Sequence, residues 1–98
     1  MRKTAQELIA VLQQIEANPD IVNVVPTTGS YTEDQLHPLV REALNIADTA
    51  LITNGGDCDW AAHTELKAAG FPVRKGEGDS FGWLSGMINT SKGDICYG

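Results

Sequence analysis

The chain has 98 residues, 42% hydrophobic and 20% charged, which fits a single small globular domain over residues 1–98 and excludes a wholly disordered chain. Thirteen acids face seven Lys and Arg, a formal charge of -6, and the basic residues are scattered. That balance argues against a nucleic-acid partner, because neutralising phosphates needs clustered Lys and Arg.

From the N-terminus, Thr4 and Glu7 have the spacing of a capping box, and Leu8, Val11, Leu12 and Ile15 follow at helical intervals. Asn18-Pro19-Asp20 then stops that helix. No apolar leader and no run of 18 apolar residues is present, so no membrane partner is expected. Residues 21–25, Ile-Val-Asn-Val-Val, have the β-branched composition of a first buried strand.

A hydroxyl-rich loop follows, with Thr27, Thr28, Ser30 and Tyr31. Thr32 and Gln35 resemble a further cap, but Pro38 fits the first turn of a helix rather than its interior. The expectation is irregular or one-turn structure over 32–36, then a helix from His37–Pro38 to about Ala47. Its buried face is Leu39, Val40, Ala43, Leu44 and Ile46.

Residues 49–53 read as a second strand and 59–69 as a third helix. Gly70 stands where a left-handed residue ends a helix, and Phe71 is its apolar partner. A third strand over 72–75 completes two crossovers in series, which implies parallel neighbours. The alternation Trp83, Ser85, Met87, Asn89 against Leu84, Gly86, Ile88, Thr90 reads as a strand. With a turn at 91–94 and the return of residues 95–97, it forms a β-hairpin. A helix over 83–89 is the alternative, weakened by Gly82 and Gly86. The expected fold is therefore α/β: three parallel strands with crossover helices, extended by a C-terminal β-hairpin in one mixed sheet.

The ending DSFGWLSGMINTSKGDICYG resembles the tails of small uncharacterised phage and prophage proteins, which also finish with an aromatic-Gly-Trp hairpin and a Lys-Gly turn. The resemblance covers about a fifth of the chain; it implies a mobile-element origin and no activity.

In an open parallel sheet, ligands bind beyond the carboxyl ends of the strands. That rule nominates three loops: Thr27, Thr28, Ser30 and Tyr31; Asn54, Gly55, Gly56, Asp57 and Asp59; and Glu77 and Asp79. Gly55 and Gly56 would let backbone N–H groups approach a phosphate, but no Walker lysine follows. Asp57 and Asp59 suit the start of the third helix as caps. With Glu77 and Asp79 they form a carboxylate set able to hold Mg²⁺, without a recognised metal signature. Asp59 and His63 lie one helical turn apart, and Cys58 with His63 would make a nucleophile pair. Cys58, Ala62, Leu66 and Ala69 also form an apolar stripe, which makes Cys58 a buried structural thiol.

No complete set of nucleophile, base and oxyanion donor emerges, and no cofactor is implied. The expectation is a non-catalytic cytoplasmic accessory protein with a protein partner. The alternative is a small-molecule or nucleotide-phosphate binder, or a Mg²⁺-dependent enzyme, that uses the three loops.

Overall fold

The computed structural model describes residues 5–25, 32–50, 60–75 and 86–97. Helix α1 runs Ala5–Ala17, a single 3-10 turn covers Glu33–Gln35, α2 runs Pro38–Ala50 and α3 runs Trp60–Ala68. Strands β1 (Val73–Lys75), β2 (Gly86–Thr90) and β3 (Gly93–Tyr97) form an antiparallel sheet in the order β1-β2-β3. Among the described residues, no helix is long and apolar enough to cross a membrane.

This arrangement corrects the expected parallel α/β sheet. Among the described residues every strand pairing is antiparallel: Val73 opposes Ile88, and Ile88 opposes Ile95. The run over 21–25 is not a strand. Ile21 and Val24 are buried, while Val22 and Asn23 between them are exposed, so the burial interval is three rather than two. β-Branched composition reports a fit to a pleated, half-buried surface, not pairing itself. Here the backbone bends, and its link to the sheet region is the Val24 N–H donating to the Lys92 carbonyl at 3.0 Å.

The expected second strand over 49–53 fails at its start, because Thr49 and Ala50 are helical. The buried set Ala43, Ile46, Ala47 and Ala50 carries the stripe through one more turn than expected. Within the helix the Thr49 hydroxyl donates back to the Asn45 carbonyl at 3.3 Å. Residues 51–53 lie outside the described residues.

Local chemistry set several other boundaries where they were expected. At α2, His37 Nδ1 accepts from the Leu39 N–H at 3.1 Å, so an imidazole serves as the cap and Pro38 takes the first helical position. In the preceding turn, the Gln35 side chain accepts from the Thr32 N–H at 2.7 Å. At the end of α3, the Phe71 N–H reaches the Leu66 carbonyl at 2.8 Å and the Gly70 N–H reaches Lys67 at 3.1 Å. Gly70 adopts φ +95, and the buried Phe71 and Leu66 close the Schellman motif.

One core joins the layers. Leu8, Leu12 and Ile15 of α1 and Val40 and Ile46 of α2 pack with Leu66, Phe71 and the inner sheet residues Ile88 and Ile95. Ile9 is buried although the helical stripe omitted it, and Val11 is only partly buried. Arg74, Met87, Asn89, Asp94 and Cys96 occupy the other face of the sheet, where Asp94 accepts from both Arg74 and Asn89.

The β2–β3 turn is tied to the end of α1. Lys92 Nζ donates to the Ile15 carbonyl at 2.9 Å and to the Asn18 carbonyl, and the Ser91 N–H donates to Glu16 Oε2 at 2.9 Å. Gly93 closes the turn at φ +114, and the Thr90 hydroxyl accepts from the Lys92 N–H at 3.1 Å. This matches a type I turn closed by a left-handed glycine.

The hydrogen bonds from Ser91 hold the Glu16 carboxyl below its usual range. A carboxylate lowered in the folded state adds stability above its unfolded pKa, and that contribution disappears as pH falls through the folded value. Glu16→Gln should therefore lower the melting temperature at neutral pH, with the gap to wild type closing toward about pH 3. A gap constant across that range would contradict the assignment.

Candidate functional site

Every rim-loop residue nominated from the sequence lies outside the described residues: Thr27, Thr28, Ser30, Tyr31, Asn54, Gly55, Gly56, Asp57, Asp59, Glu77 and Asp79. So does Cys58. The rule that nominated these loops no longer applies, since it rests on parallel strands and the described sheet is antiparallel. Among the described residues, no group of three or more His, Cys, Asp and Glu side chains is placed to hold a metal.

His63 of α3 can be placed. It is buried, and its Nε2 lies 3.3 Å from the Tyr97 hydroxyl of β3. Tyr97 sits opposite Gly86 in the sheet register. A Cβ built on Gly86 would lie 2.5 Å from the Tyr97 oxygen and 2.7 Å from its ring. The glycine thus leaves the space in which the ring lies across β2 and reaches α3, an antiparallel Gly–aromatic pair. The pair fastens α3 to the sheet from within the core.

Cys96 is an exposed free thiol on the opposite face. Its pKa is pushed up, first by partial burial and then by the Asp94 carboxylate, against a smaller opposing effect of Arg74. A thiol held in its protonated form is a poor nucleophile.

An open concavity lies elsewhere. A groove of about 400 Å³ is lined by residues 20–25 and 35–37. One wall is the bent segment that follows α1, and the other is the capped entry to α2. Val22 on the first wall is 77% exposed, the single large apolar side chain so placed among the described residues. Among the described residues, the backbone groups of Val22 and Asn23 make no hydrogen bond within the protein. Leu36 closes the floor and is buried. Because His37 Nδ1 is occupied as the helix cap, the neutral ring carries its proton on Nε2 as a donor. The sequence held a weak signal for this site. Asn18-Pro19-Asp20 announced the break, but the next five residues looked like a strand that would hide them.

A second depression of about 310 Å³ lies along the outer face of α2 between Pro38, Arg41, Glu42 and Asp48. It is formed mostly by charged and amide side chains on one helix.

No protein-family model matches the chain, and no curated protein or solved structure matches it significantly.

The Gly86–Tyr97 pair yields a direct stability test. Tyr97→Phe should cost about 1 kcal/mol for the lost hydrogen bond. Gly86→Ala should cost about 1–3 kcal/mol as the ring is forced aside. Combined with Tyr97→Ala, the Gly86→Ala penalty should largely vanish, because the ring it collides with is gone. Denaturant midpoints of the single and double variants check this, and additive losses would contradict it.

Proposed function

We propose that the protein is a non-catalytic, cytoplasmic interaction module that receives a partner protein in the groove between residues 20–25 and 35–37. The observation that carries this reading is Val22, 77% exposed on a wall where the backbone groups of Val22 and Asn23 are unpaired among the described residues. Exposed single apolar residues are ordinary. Here the residue stands at a concavity that also offers free main-chain donors and acceptors, the two features a docked segment uses. The free Cys96 thiol fits a reducing compartment.

Photo-crosslinking in cells tests the proposal. A photoreactive amino acid at Asn23 should give a discrete protein adduct, while the same probe at Gln13, exposed on α1, should not. Adding Val22→Asp should abolish the adduct while changing stability by no more than about 0.5 kcal/mol, the usual range for an exposed site. Identical adducts from both positions, or none from Asn23, would refute the reading.

A further inference from the structure

The charge around the groove specifies what kind of segment fits it. Asp20 is the one charged side chain in the lining among the described residues. Its backbone N–H is held by Asn18 Oδ1 at 2.9 Å, while its carboxylate has no hydrogen bond or ion pair among the described residues. Asp34, adjoining the second wall, has a side chain 94% exposed and meets Arg41 only at 3.6 Å. Lys92, whose carbonyl holds Val24, spends its ammonium group on the carbonyls that end α1. Among the described residues no lysine or arginine lines the groove, and the whole chain carries a formal charge of -6.

We infer that the groove recognises a short segment of a partner protein in which lysine or arginine stands next to apolar residues. The inference rests on the interaction reading above and adds the chemistry of the partner. Val22 supplies the apolar contact, the backbone of residues 22–23 supplies hydrogen bonds, and Asp20 receives the cation. An acidic segment would face the carboxylates of Asp20 and Asp34, with Arg41 already beside Asp34 and the Lys92 ammonium group turned to the carbonyls that end α1. The negative field of the chain also favours the approach of a cation, an effect that weakens with salt.

The test uses the full chain, labelled with ¹⁵N, and two capped hexapeptides. One alternates lysine with valine, and the other alternates glutamate with valine. The lysine peptide should shift the amides of residues 21–25 and 35–36 and bind at least about ten-fold more tightly than the glutamate peptide, a difference of about 1.4 kcal/mol. Asp20→Asn should weaken the lysine peptide about two- to five-fold, the range of a single exposed ion pair, and leave the glutamate peptide no weaker. If both peptides shift the groove amides with equal affinity, the docking site stands and the charge inference falls. Wild-type affinity of Asp20→Asn for the lysine peptide also overturns it. If neither peptide moves those amides, or the shifts fall elsewhere, the groove reading falls with it.

Discussion

The contact on which the arrangement depends is the Lys92 ammonium group at the C-terminal end of α1. A helix ends with carbonyls that lack partners and with the negative end of its dipole. No basic residue lies in the last turn of α1 to answer them. The cation comes instead from the β2–β3 turn, 77 residues beyond Ile15 in sequence. The same residue offers its carbonyl to the Val24 N–H. One side chain and its own backbone therefore join the helix end, the hairpin turn and the bent segment over 21–25. Ser91 and Glu16 add a second tie beside it. Gly93 permits the turn, since its φ of +114 suits glycine, and a Cβ there would sit 3.3 Å from Val24.

The groove follows from that junction. Its first wall has no ladder hydrogen bonds of its own. It is positioned by the buried side chains Ile21 and Val24 and by the bond from Val24 to Lys92. With Ile21 and Val24 turned inward, Val22 and Asn23 between them are left in solvent. The second wall owes its position to the His37 cap and to Pro38, which fix where α2 begins. A docking surface thus arises where an irregular segment is pinned at two points and left unpaired between them.

These origins separate what the sequence made legible from what it did not. Gly70 with Phe71, His37 with Pro38, and the hairpin turn near Lys92 and Gly93 were readable because each is decided by neighbours a few residues away. Strand pairing was not. The Ile-Val-Asn-Val-Val run has strand composition, yet among the described residues its hydrogen bond to the sheet side goes to a turn remote in sequence. Thr49 and Ala50 looked like the start of a strand, but the apolar stripe that reaches the buried Ala50 kept them helical. Once those two strands fell, the parallel sheet fell with them, while the rim-loop residues nominated beside it lie outside the described residues. The groove went unread for the same reason: its wall was assigned to the interior of a sheet.

Native-state hydrogen exchange of the wild type and Lys92→Met tests the central role of this contact most directly. The prediction is that the amides of Val24, Ile21 and Ser91 lose protection together in the variant, while those of Ile88 and Ile95 in the sheet core keep most of theirs. Unchanged protection at Val24 and Ile21, or an equal loss at every amide of the chain, would contradict the claim that Lys92 pins the groove wall to the end of α1.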